Sequence, residues 1–111
     1  MRHLREIVKL IKEKLYNNPV LIKDILGKLG FHKIRELNNE IRAALPDSNN
    51  WTSTVIKLSE NLPTYIYSRN DYNGTDILSL VQYIKKMNFY QAIEWLCLEL
   101  DIDYNNNDIE I

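Results

Sequence analysis

The chain has 111 residues, of which 45% are hydrophobic and 26% are charged, and its net charge is −1. This is an ordinary globular composition, and the length allows one domain at most. No apolar run approaches the roughly 20 residues that a membrane helix needs, and the charged start of the chain does not fit a signal peptide. The single cysteine, Cys97, excludes an internal disulfide and a thiolate-rich zinc site, so we expect a cytoplasmic protein.

The charge is distributed unevenly along the chain. Residues 1–42 hold ten Lys or Arg residues against five acids, whereas residues 43–111 hold four against ten. A nucleic-acid footprint therefore belongs on the N-terminal half, if the chain has one. The alternative is that these cations only solvate the outer faces of helices.

Two helices are predicted at the N-terminus. An apolar stripe at three- and four-residue steps indicates a first helix over about residues 2–16. The stripe comprises Leu4, Ile7, Val8, Ile11 and Leu15. Asn18 and Pro19 have the N-cap and first-turn pattern of a second helix, and Gly30 is typical of its C-terminal end.

The next segment, residues 31–45, is ambiguous. Residues 32–37 alternate like a strand, residues 38–39 suit a turn, and residues 40–45 suit a returning strand. The apolar residues of the same segment also fit a helical period of 3.6. Short runs do not separate these alternatives by pattern alone, so both stay open at this point.

Strands, polar turns and a helical pair follow. The turn cluster at residues 46–50 precedes a β-branched strand at residues 52–58, and a second strand is predicted at residues 64–68. Thr75 or Asp76 is expected to cap a helix, and Asn88 with Gln91 has capping-box spacing for the last helix. The apolar faces of these helices consist of Ile77, Leu80, Val81, Ile84 and Met87, and of Phe89, Ala92, Ile93, Leu96, Cys97 and Leu100.

The order of these segments resembles the N-terminal zinc-binding domain (CHC2 type) of bacterial DnaG-type DNA primases. The resemblance rests on four stretches, which are Leu45-Pro46-Asp47-Ser48, Ser68-Arg69-Asn70-Asp71, Gly74-Thr75-Asp76-Ile77 and the run from Phe89 to Leu96. It implies an α+β fold, with a small antiparallel hairpin or sheet flanked by N-terminal and C-terminal helices, zinc-ribbon-like without zinc. It also favours strands for residues 31–45. The implied organisation is an extra helix at residues 1–17, the primase-like module at residues 18–102 and an acidic tail or linker at residues 103–111.

The zinc ligands of that family are replaced in this chain. The aligned positions hold Leu45, Ser48, Ser68 and Asp71, and a tetrahedral zinc site needs four thiolate or imidazole donors or their equivalent. We therefore predict no zinc, no other cofactor and an apolar replacement core. Its candidate members are Leu45, Trp51, Leu58, Leu62, Tyr65 and Tyr67. The histidines, His3 and His32, are interpreted as solvated surface groups.

The resemblance implies a non-catalytic module of DNA replication that binds single-stranded DNA weakly. No pattern of a hydrolase triad, a phosphate-cradling loop or an acidic polymerase cluster is visible, so we predict that the chain is not an enzyme. The candidate nucleic-acid-binding residues are Trp51, Lys57, Tyr65, Tyr67, Arg69 and Tyr72. The alternative is a protein-interaction module that docks a replication helicase, polymerase or primase without contacting DNA. A third hypothesis is a helical adaptor unrelated to nucleic acid.

Overall fold

The computed structural model describes residues 4–16, 18–51, 54–58, 66–68, 73–74 and 77–103, with backbone pairing alone for residues 66–68 and 73–74. Four helices and five strands occur in these ranges. They are α1 (Leu4–Leu15), α2 (Pro19–Lys28), β1 (His32–Leu37), β2 (Glu40–Ala44), β3 (Thr54–Lys57), β4 (Ile66–Ser68), β5 (Asn73–Gly74), α3 (Ile77–Lys85) and α4 (Phe89–Leu100). The predicted α+β class is confirmed, with helices on both sides of the sheet in chain order.

The strands form one antiparallel sheet in the order β1-β2-β3-β4-β5. Each strand pairs with its neighbour in sequence, so short connections suffice. The ambiguity at residues 31–45 is resolved in favour of strands, because β1 and β2 form a hairpin closed by Asn38 and Asn39. Asn39 has φ of 60°, which asparagine tolerates well in a tight turn.

Hairpin β1–β2 contains a β-bulge close to its open end. His32 pairs with Ala44 and Arg35 with Arg42, so two residues of β1 lie opposite Ala43 alone. Lys33 takes the left-handed conformation at this bulge, with φ of 52°. The bulge returns Ile34 to the core side and places His32 and Arg35 on the opposite face.

Helix α1 lies within the predicted residues 2–16, of which residues 2–3 lie outside the described ones, and α2 has its predicted start and end. The side chain of Asn18 accepts a hydrogen bond from the backbone N–H of Leu21, and Pro19 lies in the first turn of α2. Gly30, with φ of 93°, ends α2 in a Schellman motif. Its N–H donates to the carbonyl of Gly27 at 3.1 Å, and the N–H of Phe31 donates to that of Leu26 at 3.0 Å.

The C-terminal helices form a packed hairpin. Asn88 and Gln91 make the predicted capping box, in which each side chain accepts a 2.9 Å hydrogen bond from the backbone N–H of the other residue. The connection after α3 turns at Lys86, which has φ of 54°. Asp101, the C-cap of α4, also has a left-handed backbone conformation, and the N–H of Ile102 donates to the carbonyl of Cys97 at 2.9 Å.

A single hydrophobic core joins all four helices to the inner face of the sheet. Helix α1 contributes Ile7, Ile11 and Leu15 to it and packs against α4, while α2 packs against β1 and β2. The sheet contributes Ile41 of β2 and Ile56 of β3, which are paired in register. In the described part of the chain, no helix is both long enough and apolar enough to cross a membrane.

Strands β3 and β4 lie within the predicted strands at residues 52–58 and 64–68; β3 ends at Lys57, one residue before the predicted end, and residues 52–53 and 64–65 lie outside the described residues. Leu58 packs partly against the core, and Leu45 is buried in it, as the replacement-core hypothesis expected. Two other members of that hypothesis, Leu62 and Tyr65, lie outside the described residues. Of the proposed tail, residues 104–111 also lie outside them.

Candidate nucleic-acid interface

The loop segment after β2, residues 45–51, folds back onto β1. His32 is half-buried there, and its Nε2–H donates to the backbone carbonyl of Ser48 at 2.5 Å and to that of Leu45 at 3.2 Å. Because both partners are acceptors, the ring must carry its proton on Nε2. The interpretation of His32 as a solvated surface group is therefore wrong.

Two further side chains of β1 hold the same segment. Lys33 Nζ donates to the backbone carbonyl of Asn49 at 3.1 Å. The guanidinium carbon of Arg35 lies 4.9 Å from the ring centroid of Trp51, a cation–π contact. Arg35 is exposed and Trp51 is half-buried, so the pair is accessible from solvent on the guanidinium side.

The face of the sheet opposite the core is defined by the register. Arg35 lies opposite Arg42, and Leu37 opposite Glu40, which in turn lies opposite Lys57. Directly opposed residues of neighbouring strands project from the same side, so these five residues form one surface, called the outer face below. Two arginines placed directly opposite each other repel unless an anion lies between or beside them.

One carboxylate contacts two of the three cations of the outer face. Glu40 Oε1 lies 2.7 Å from Lys57 Nζ, and Glu40 Oε2 forms an ion pair with Arg42 Nε. These two hydrogen bonds hold the pKa of the Glu40 carboxyl below its ordinary value, and the bond from Lys57 has the larger effect. Arg35, by contrast, makes no salt bridge among the residues that the structure describes.

Comparison with family models, curated proteins and solved structures finds no match for this chain. The primase resemblance therefore remains an interpretation of the sequence, and the residues of the site carry the functional argument.

The positions aligned with zinc ligands do not fit zinc. The Leu45 side chain is buried in the core, and the Ser48 hydroxyl accepts a 3.1 Å hydrogen bond from the N–H of Asn50. Ser68 lies in β4, paired with Thr54, and Asp71 falls outside the described residues. Across the described ranges, no group of three or more His, Cys, Asp or Glu side chains is placed to hold a metal ion. An alkyl side chain and serine hydroxyls are unsuitable zinc donors in any case.

The predicted binding residues are only partly brought together. Trp51 lies over β1 beside Arg35, while Lys57 lies at the far end of β3, where Glu40 holds it. Tyr67 is in β4, with its backbone paired to Val55. Tyr65, Arg69 and Tyr72 lie outside the described residues.

Sequence reasoning missed the residues of β1 that complete the site. His32, Lys33 and Arg35 belong to a segment whose pattern fits both a strand and a helix, so the sequence does not place them beside residues 45–51. Their contacts with Ser48, Asn49 and Trp51 span 16 residues of sequence. The one available signal was the density of cations at residues 33–42, which the charge asymmetry had already placed in the N-terminal half.

Proposed function

We propose that this protein is a non-catalytic module that binds single-stranded DNA weakly, on the part of the outer face where β1 meets residues 45–51. The observation that carries the proposal is the exposed Arg35 guanidinium stacked on Trp51, with no carboxylate partner among the described residues. Beside it, Lys33 is exposed and uses one of its three N–H donors on the Asn49 carbonyl.

The Arg35–Trp51 pair has the chemistry that binds unstacked bases. Single-strand binders combine aromatic or guanidinium planes, on which bases stack, with cations that contact phosphates. A base lying on the outer plane of the Arg35 guanidinium extends the existing stack with Trp51, and Lys33 is adjacent for a phosphate. With about two phosphate contacts, the logarithm of affinity should fall with the logarithm of salt at a slope of about −1.4.

A place in DNA replication is supported by the resemblance to the primase zinc-binding domain. In that family the domain binds single-stranded template and cooperates with a separate catalytic domain. The stretch of this chain that carries the site, residues 32–51, includes the Leu45-Pro46-Asp47-Ser48 turn of the resemblance. We therefore propose template contact, without catalysis, as the role.

The test is a fluorescence-anisotropy titration of the full chain with a labelled oligothymidylate at 20–200 mM salt. Trp51→Ala and Arg35→Gln should each weaken binding about tenfold, since base stacking on such groups is worth about 1–3 kcal/mol. Lys9→Gln removes an exposed cation of α1 and Tyr90→Ala removes an exposed aromatic of α4, and both should leave the affinity unchanged.

Two outcomes would contradict the proposal. Absence of binding by the folded wild-type chain at 20 mM salt would remove single-stranded DNA from its function. Equal losses in Lys9→Gln and Arg35→Gln would show that overall charge, rather than the Arg35–Trp51 stack, accounts for the affinity.

A protein-docking role is the second candidate, and it is favoured by the corner between α3 and α4. Tyr83, Phe89 and Tyr90 are all exposed there within eight residues of sequence. Tyr83 also lines a cleft of about 390 Å³ with Pro46 and Lys86. Exposed aromatics beside a cleft are typical anchors of protein interfaces. Calorimetry of the wild type and of Tyr83→Ala with the replicative helicase, polymerase and primase of the same cell tests this role, and failure to bind all three would contradict it.

A further inference from the structure

Glu40 binds the two cations of the outer face other than Arg35, and one of them, Arg42, lies directly opposite Arg35 in the sheet. Its carboxylate holds Lys57 through Oε1 at 2.7 Å and Arg42 through Oε2. The Glu40 side chain is only 14% exposed, against 30% for Arg42 and 51% for Lys57. The acid thus lies beneath its partners, and the cations reach the surface.

The arrangement is fixed by the sheet. Glu40 and Lys57 are directly opposed in the β2–β3 register, and Arg42 follows Glu40 by two residues on the same side of the same strand. Short, extended backbone on both strands holds all three side chains within reach of one another. A carboxylate that bridges two cations with separate oxygens takes the place that two oxygens of a phosphate group would take.

We propose that Glu40 is a built-in competitor of phosphate, which keeps Arg42 and Lys57 from DNA and limits binding on this face to the Arg35–Trp51 end. The inference deepens the proposed function and rests on it. Glu40 keeps the affinity low and its salt dependence shallow, because two of the four cations of β1, β2 and β3 already bind its carboxylate, whose single negative charge offsets one of them.

A phosphate does not displace Glu40 without cost. If both cations turned to a phosphate, the carboxylate would lose both of its ion pairs and would lie beside an anion of the same sign. The lowered pKa of Glu40 has the same cause, since both hydrogen bonds favour its ionised form. Lys57, which the sequence predicts to contact DNA, therefore binds Glu40 instead.

The matched pair of variants is Glu40→Gln and Glu36→Gln. Both remove one negative charge from hairpin β1–β2, but Glu36 is paired at 2.8 Å with Lys23 of α2, away from the outer face. If Glu40 competes with phosphate, Glu40→Gln should bind oligothymidylate about tenfold more tightly at 50 mM salt, and its salt slope should be steeper by about 1 to 1.4. Glu36→Gln should bind as the wild type does.

A second measurement combines Glu40→Gln with loss of Lys57. In the otherwise wild-type chain, Lys57→Gln should leave the affinity unchanged, because Lys57 is held by Glu40. In the Glu40→Gln background the same change should weaken binding several-fold. Such non-additivity is the signature of a direct competition between the two side chains.

The titrations separate failure of the competitor role from failure of the proposed function. Equal gains in Glu40→Gln and Glu36→Gln, or a loss of affinity in Lys57→Gln alone, would overturn the competitor role while leaving the Arg35–Trp51 site intact. A wild type that does not bind, together with a Glu40→Gln variant that does, would overturn the proposed function and uphold the competitor. If neither binds, both proposals fail. Circular dichroism of every variant confirms that binding is compared between folded chains.

Discussion

The imidazole of His32 joins the start of β1 to the turn after β2, with Nε2 2.5 Å from the carbonyl oxygen of Ser48. The same nitrogen lies 3.2 Å from the carbonyl oxygen of Leu45. The turn therefore gains hydrogen bonds for two carbonyls that the sheet does not use. Among the described residues, the side chain of His32 thus stabilises this turn.

Replacing His32 should loosen this turn. His32→Ala removes the donor and leaves two carbonyl groups without it, which should lower the free energy of unfolding by about 1–2 kcal/mol. His32→Gln places an amide N–H near the position of Nε2 and should restore part of the loss. Urea unfolding followed by circular dichroism measures both. Equal stability of His32→Ala and the wild type would show that the bond contributes nothing.

Thr54 should tolerate loss of its hydroxyl. It is fully buried in β3, and its Oγ1 has no hydrogen-bond partner among the described residues. Thr54→Val keeps the shape and removes the unsatisfied group, so it should raise the free energy of unfolding by about 1 kcal/mol. Thr54→Ser, the control, keeps the hydroxyl and loses a buried methyl, and should be destabilising. A clear loss of stability in Thr54→Val would instead indicate that a buried water satisfies the hydroxyl.

Cys97 should react only when the protein unfolds. It is buried in α4, and burial, with a smaller contribution from Glu94, raises the pKa of its thiol to about 11. Because the thiolate is the reactive form, a disulfide reagent at pH 8 should modify the native protein at least about a hundredfold more slowly than the unfolded chain. The rate should rise along the urea unfolding curve. Rapid modification without denaturant would contradict the burial of this thiol.

The contribution of Glu40 to stability should depend on pH. Its pKa is lowered in the folded state, so its stabilising effect is complete above the ordinary glutamate range, about 4.3, and is lost as pH falls through the lower folded value. Glu40→Gln should therefore be less stable than the wild type at pH 7, by roughly 1 kcal/mol, and the gap should close towards pH 3. Glu36→Gln, whose ion pair is exposed, should show little difference at either pH. A gap for Glu40→Gln that is constant over this range would contradict the assignment.

Helices were readable from the sequence because their signals are local. The stripe of α1, the Asn18 cap of α2 and the Asn88–Gln91 capping box all depend on residues within four positions of one another. The same local reading failed to decide between strand and helix at residues 31–45. There the residues fit both a two-residue and a 3.6-residue period, and only pairing of β1 with β2 distinguishes the alternatives.

For the candidate site, too, the sequence determined some features and the tertiary structure decided the others. Sequence alone determined that cations are concentrated in the first 42 residues, that the positions aligned with zinc ligands in the resemblance hold one carboxylate and no thiolate or imidazole, and that Trp51 follows a turn. Only the tertiary structure decided which cations are neutralised and which residue meets Trp51, since Lys57 pairs with Glu40 and Arg35 covers the indole. The physical reason is that sheet register brings together residues up to 17 positions apart, and the strength of charge and stacking contacts depends on distances that no local pattern encodes.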